Sequence, residues 1–287
     1  MRIGDLFNTK ECVFSIECFP PKEIANYQKM QDTLRKMVTL NPDFISVTFG
    51  AGGSSGGVSS PDIASFIKNE LNVETVAHLV CMGSECDDIK KIITKLEKSN
   101  VNNILVLRGD ESPFRPRSKS FTHASDLITF IKNNGDFFVS AACYPEGHPE
   151  SKTPRSDVES LKLKEDCGAE HFFTQMFFDN NVFYKFLNRA RKIGLNSPVS
   201  AGIMPIVRTS QIERTVKLSS ASLPSEFTKM IALYQNDEKS LYKAGVDYAV
   251  TQIRDLIESG ADGIHLYAMN SFDVAKEIYD GICDLLD

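Results

Sequence analysis

The sequence predicts a single α/β domain, a (β/α)8 barrel spanning residues 1–287. Three observations point there. Short apolar runs recur eight times, an amphipathic helical pattern follows each run, and a helix closes the chain after the eighth. Several runs are nearly continuous in apolar residues, as strands buried on both faces should be. A doubly wound open sheet is the rival. The regular count and the closing helix favour the barrel.

The runs are CVFSIEC, DFISVTF ending near Phe49, ETVAHLV ending at Val80, NILVLRG, FFVSAACY, HFFTQMFF, PVSAGIMP and DGIHLYAM. SECDDIKKIITKLEKSN reads as a helix, with Ser84 a candidate cap and Ile89, Ile92, Ile93 and Leu96 on one face. VDYAVTQIRDLIESG groups Val246, Val250, Ile253 and Ile257 and stops at Gly260. The last helix carries Val274, Ile278, Ile282 and Leu285. The long stretch between runs seven and eight predicts two helices, from about Ser210 to Tyr234 and from Lys239 to Ser259.

Composition narrows the function. The chain is 42% hydrophobic, enough for a substantial core, and carries a net charge of -6 without a basic block. Nucleic acid and an anionic membrane are therefore not expected partners. No secretory signal and no apolar run long enough to span a bilayer are present. The seven cysteines are odd in number, scattered and free of any C-x-x-C pair. That argues against a disulfide framework or a zinc site and for a reducing cytoplasm.

In such a barrel the active site lies at the carboxyl ends of the strands. Those ends carry Glu17, Thr48, His78, Asp110, Tyr144 and Gln175 from strands one to six, and Tyr267 and Asn270 near the eighth. Each has a structural alternative. Glu17 can pair with a neighbouring cation, His78 can be a satisfied core histidine, and Thr48 suits a strand regardless of function. Asp110 can begin a turn with Arg108 as its partner. Tyr144 can be a packed aromatic. Gln175, inside FFTQMFF, is harder to dismiss, because a buried amide needs hydrogen-bond partners. The convergence of these residues predicts one pocket.

Two loops stand out. GAGGSSGGVSS after the second run lacks the third glycine of G-x-G-x-x-G, where Ser55 stands, and has no P-loop lysine. It reads either as a flexible loop or as a cover that lets backbone approach a planar ligand. YPEGHPES after the fifth run groups Tyr144, Glu146 and His148, and no second cluster completes a metal site there. Downstream, Asp157, Lys162 and Lys164 share one helix; a lysine at the rim can meet a phosphate, while Lys162 reads as a solvated face.

Together the motifs resemble a family. FSIECFPPK, SVTFGAGG, AHLVCMG, LRGD, AACYPEGHPES, TQMFFD, GIMP and GIHLYAMN occur in the order found in 5,10-methylenetetrahydrofolate reductases, from near Val13 to near Asn270. The resemblance implies a barrel with non-covalent FAD. It implies reduction of 5,10-methylenetetrahydrofolate to 5-methyltetrahydrofolate with NADH or NADPH as co-substrate, by a ping-pong scheme. It also implies a cytoplasmic homo-oligomer whose partners are folate and a nicotinamide nucleotide. By motif match, Glu17 is similar to the family's general acid, and Asp110 to the aspartate near both flavin and folate. Thr48, Phe49, Ala51, His78, Arg108, Gly109, His123, Ala124, Tyr144, His148, Asp157 and Lys164 fall on flavin-site positions. Gln175 and Gln211 match substrate contacts.

Some positions depart from the pattern. His123 stands where bacterial relatives have tyrosine, and Ser160 and Leu163 replace polar flavin-site residues. Ser271 stands where an arginine is expected at the folate end, leaving Arg208 or another cation to substitute. The chain ends soon after the eighth run, so the regulatory domain of eukaryotic relatives is not expected. Two rivals remain open: the same reduction with a ferredoxin or partner flavoprotein as donor, and a non-catalytic folate- or flavin-binding subunit.

Overall fold

The computed structural model describes residues 1–21, 23–49, 58–110, 117–212 and 222–286. Eight strands alternate with helices: β1 (Val13–Cys18), β2 (Phe44–Val47), β3 (Glu74–Val80), β4 (Asn103–Leu107), β5 (Phe138–Cys143), β6 (His171–Thr174), β7 (Val199–Ile203) and β8 (Gly263–Leu266). Each pairs in parallel with the next, and β8 closes on β1. The helices are α1 (Tyr27–Val38), α2 (Ser60–Glu70), α3 (Cys86–Lys98), α4 (Ala124–Asn134), α5 (Pro154–Asp166), α6 (Asn180–Lys192), α7 (Ser225–Tyr234), α8 (Glu238–Glu258) and α9 (Phe272–Asp280). The expected barrel is therefore the observed one. None of the described helices is long and apolar enough to cross a membrane.

Several boundaries differ from the expectation for identifiable reasons. HFFTQMFF supplies only the four residues of β6. Beyond it, Phe177 stacks on Phe183 of α6 at 5.3 Å and Phe178 on Phe227 of α7 at 4.3 Å, so the aromatic pairs draw the chain outward from the barrel. Helix α3 is capped by Glu85 in place of Ser84, through a reciprocal box with Asp88. Of the helix expected from Ser210 to Tyr234, residues 209–212 are helical, and a helix runs again from Ser225, directly after Pro224, whose ring disfavours helical backbone at the residue before it. Residues 213–221 lie outside the described part. Helix α8 begins at Glu238 because Asp237 accepts from the backbone N–H groups of Lys239 and Ser240.

Alternation along the strands decides what enters the barrel. Outward residues such as Phe14, Ile16, Ile45 and Val47 pack in the large core beneath the helices. The alternate positions point inward. At the amino end, Ile3, Val13, Phe44, Val76, Leu105, Phe138 and Phe173 form an inner apolar plug. A 3-10 turn, Ile3–Asn8, seats it, with the Ile3 N–H donating to Asn103 Oδ1 at 2.9 Å.

Two buried histidines occupy the inside next to that plug. The His265 ring lies 2.7 Å from Ser15 Oγ and 3.1 Å from Ser46 Oγ, and the His171 ring lies 3.1 Å from Ser140 Oγ and 2.9 Å from Ser200 Oγ. Four hydroxyls thus satisfy four ring nitrogens within a water-poor interior. Burial pushes the His171 pKa down to about 3 and that of His265 well below its ordinary value.

Candidate active site

The same alternation carries polar residues to the carboxyl end. Ser15 leads to Glu17, Ser46 to Thr48, Val76 to His78, Ala142 to Tyr144, Phe173 to Gln175 and His265 to Tyr267. These upper positions open into one cavity of about 1080 Å³. Glu17, Thr48, Phe49, His78, Arg108, Gly109, Asp110, His123, Ala124, Tyr144, His148, Asp157, Lys164 and Gln175 all line it. Of the residues expected at the site, Ala51 lies outside the described part. Gln211 is not in the cavity wall: its Oε1 accepts from the backbone N–H groups of Val207 and Arg208, both at 2.9 Å, so it holds the loop beyond β7.

Glu17 is buried at 9% exposure, in a strand whose six residues are all buried. Among the described residues it has no cation partner of the kind a structural role would require. His78 faces it, with Nε2 3.9 Å from Glu17 Oε2, and among the described residues that nitrogen has no hydrogen-bond partner. Loss of hydration pushes the Glu17 pKa up to about 8 and that of His78 down to about 3. Both shifts favour the uncharged forms, a carboxylic acid facing a neutral imidazole.

Asp110 is the contrasting acid. Gly109 turns the chain at φ +78, a left-handed conformation a side chain resists, and Asp110 follows it exposed at the cavity mouth. Arg108 does not pair with Asp110, the structural alternative raised by the sequence. It makes a two-pronged bond to Glu150, at 2.5 and 2.9 Å, across to the loop after β5.

The β5 side is rigidly built. Buried Asp157, in the first turn of α5, accepts from the His148 backbone N–H at 3.0 Å and from Ser151 Oγ at 2.8 Å. Tyr144 meets the His148 ring edge-on at 4.7 Å, and burial pushes its pKa up to about 12. Lys164 donates to the Ala142 carbonyl at 2.8 Å, and burial lowers its pKa. Lys162, by contrast, bridges Glu165 and Asp166 on the helix surface. His123 caps α4, and Gln175 Oε1 accepts from the Met176 N–H at 2.9 Å.

Among the lining residues the sequence reading did not single out are Glu150, Met204 and Met269, while Leu163, read as standing on a flavin-site position, is an exposed wall residue. The methionines sit two positions beyond Gly202 and Tyr267, so strict alternation from those residues would have placed both in the cavity.

The buried ionisable groups make stability pH-dependent. On unfolding, His78, His171 and His265 regain ordinary pKa values and can take up three protons below pH 6.5. Folded Glu17 already holds one proton that the unfolded chain releases above pH 4.5. Between pH 6.5 and 5 these four groups of the unfolded chain thus bind up to two more protons, three minus one, and His148, also lowered by burial, adds in the same direction. Stability is expected to fall as pH falls there, with a slope approaching about 1.4 kcal/mol per pH unit per proton. Urea midpoints across that range test this; a midpoint that rises on acidification would contradict it.

A parallel eight-stranded barrel with one deep cavity at the carboxyl ends of its strands is the architecture of the (β/α)8 enzymes. Within that class, the chain belongs to the methylenetetrahydrofolate reductase family, whose family model matches residues 2–282. It is 32% identical over 284 residues to methylenetetrahydrofolate reductase (NADH) 1 of Arabidopsis thaliana, covering 94% of this chain and 48% of that protein. It is 29% identical over 264 residues to 5,10-methylenetetrahydrofolate reductase of Escherichia coli, covering 92% of this chain and 88% of that one. The chain thus spans about half the length of its plant relative. Among solved structures, a Clostridium thermocellum protein described as binding two copies of 5-methyl-5,6,7,8-tetrahydrofolic acid superposes with a TM-score of 0.64. That match has 14% identity and covers 98% of this chain and 99% of the other, a likeness of fold.

Proposed function

We propose that the chain reduces 5,10-methylenetetrahydrofolate to 5-methyltetrahydrofolate, using NADH or NADPH and a non-covalently held FAD. The observation that carries this is the pair of acids in one cavity: Glu17 buried in an apolar setting that raises its pKa, Asp110 exposed at the mouth. A buried acid suits proton donation, and an exposed one at the mouth suits charge stabilisation. Family membership supplies the substrate class, and the Arabidopsis relative's name supports NADH.

The cavity suits a flavin dinucleotide. It is roomy enough for a long ligand, and Arg108 and Lys164 sit in the same wall as the apolar and aromatic side chains. Arg108 and Lys164 would face the phosphates. Thr48, Phe49, His78, Gly109, His123, Ala124, Tyr144, His148 and Asp157 would line the remainder, with Ala51 proposed on the same ligand. A bound flavin would supply hydride transfer between the nicotinamide and the folate.

The chain's own residues handle protons and charge. Opening the folate's five-membered ring requires a proton on N10, and Glu17, whose burial favours its protonated form, would give it. The cation left on the folate is stabilised by an Asp110 carboxylate. Gln175 would hold the substrate beside them. Gln211 would need to leave its present backbone bonds to do the same.

The purified protein is expected to be yellow. Under anaerobic conditions NADH or NADPH should bleach the flavin band, and methylenetetrahydrofolate should restore it. A colourless protein that FAD cannot reconstitute overturns the flavin assignment. A yellow protein that neither nucleotide bleaches overturns the nicotinamide assignment.

A further inference from the structure

The carboxyl of Glu17 has no hydrogen bond to a described residue that would aim it, so its direction depends on the backbone that bears it. On one side that backbone is secure. Glu17 pairs with Ser46 and Cys18 with Val47 in the ladder to β2, and the Thr48 N–H donates to the Cys18 carbonyl at 3.0 Å. On the other side the ladder to β8 ends one residue early, at Ile16 opposite Leu266. From there β8 leaves β1, and the Tyr267 N–H donates to Ile203 of β7.

A side chain takes over where the ladder stops. Asn270 Oδ1 accepts from the Phe19 N–H at 3.0 Å, and Asn270 Nδ2 donates to the Phe19 carbonyl at 2.9 Å. One carboxamide thus satisfies both backbone groups of Phe19, as a neighbouring strand would. The acid is held between the last true ladder pair and this clamp.

The clamp is built on unusual backbone. Met269 and Asn270 are consecutive non-glycine residues at φ 52 and 57, and the Ser271 N–H donates to the Ala268 carbonyl at 2.9 Å. That is a tight turn with two left-handed central residues, where asparagine is tolerated and methionine is costly. Such conformations persist only where the surroundings enforce them. Here the turn does two things: Met269 lines the cavity wall and the Asn270 amide reaches Phe19, another wall residue.

We propose that Asn270 is the positioning residue for Glu17, its carboxamide extending the β1–β8 ladder past its end and fixing the backbone beside the acid. The role rests on the folate reaction proposed above, in which Glu17 delivers a proton to N10. Asn270 itself touches no reacting atom. Its contribution is directional, and a misplacement of a proton donor by about 1 Å costs on the order of 10²-fold in rate.

Asn270→Gly is the informative variant, because glycine adopts the left-handed conformation freely and lacks only the amide. Three readouts are expected to move together. Amide hydrogen exchange at Phe19 should accelerate by at least about tenfold. The infrared band of the protonated Glu17 carboxyl, identified by its absence in Glu17→Gln, should shift or broaden. Flavin reoxidation by methylenetetrahydrofolate should fall by about 10- to 10²-fold, while flavin reduction by NADH stays within about twofold. Asn270→Asp, which keeps the acceptor for the Phe19 N–H but loses the donor, should fall between wild type and Asn270→Gly. An unchanged Glu17 band in Asn270→Gly overturns the proposal, as does an equal fall in both half-reactions. If the wild-type flavin is not reoxidised by methylenetetrahydrofolate, the folate reading fails, and Phe19 exchange with the Glu17 band still decides whether Asn270 positions the acid.

Discussion

Glu17→Gln is expected to slow flavin reoxidation by methylenetetrahydrofolate by at least ~10²-fold, the lower range for loss of a general acid. Flavin reduction by the nicotinamide should remain within about tenfold, a barrier change of about 1.4 kcal/mol. Glutamine keeps the shape of the side chain but has no carboxylic proton. Reduction of the flavin needs no proton on a folate nitrogen, so only the second half-reaction depends on it. Stopped-flow traces at the flavin band separate the two. Equal slowing of both halves would make Glu17 a structural or flavin-binding residue.

The same variant has a thermodynamic signature. The folded Glu17 pKa of about 8 lies above the ordinary 4.5, so the folded chain holds a proton that the unfolded chain has lost across that window. Its contribution to stability therefore declines as pH rises from 4.5 through 8, by up to about 1.4 kcal/mol per unit. Glutamine removes this penalty. Glu17→Gln should unfold at a higher temperature than wild type at pH 8, with a smaller gain at pH 5. A variant less stable than wild type at pH 8 would mean the carboxyl is not carried in an apolar setting.

The barrel was legible because each strand was bounded by turn chemistry and followed by a 3.6-residue apolar stripe. The cavity lining was legible because alternation placed Glu17, His78, Tyr144 and Gln175 on one inner face. Three things were hidden for physical reasons. The retreat of Phe177 and Phe178 from β6 depends on aromatic partners in α6 and α7, which no local pattern encodes. The pairing of Arg108 with Glu150 in place of Asp110 depends on how two loops meet across the cavity. The backbone bonds of Gln211 were hidden for a similar reason: no local pattern says that its amide accepts from Val207 and Arg208 of its own loop.

Gly202→Ala should be strongly damaging for a change of one methyl group. Gly202 lies on β7, paired with His265 of β8, and its N–H donates to Thr174 Oγ1 at 2.8 Å. A methyl group there would sit 2.4 Å from the Thr174 carbonyl oxygen and 2.7 Å from the Tyr267 hydroxyl. The Tyr267 hydroxyl donates to that same carbonyl at 2.7 Å. The methyl therefore cannot enter without breaking this bond or separating β6 from β7. Overpacking of this kind costs about 1–3 kcal/mol, occasionally more. Tyr267 also lines the cavity beside Glu17, so the damage should extend to ligand binding. Gly194→Ala provides the comparison: it meets nothing within 4 Å and is strained only by its φ of +87, a cost of about 1 kcal/mol. Urea midpoints and bound-flavin content should separate the two, with Gly202→Ala losing both stability and flavin and Gly194→Ala losing only a little stability. If Gly202→Ala keeps its flavin and its midpoint, the strands part at that point without cost, and the tight approach of Tyr267 to β7 does not hold the site together.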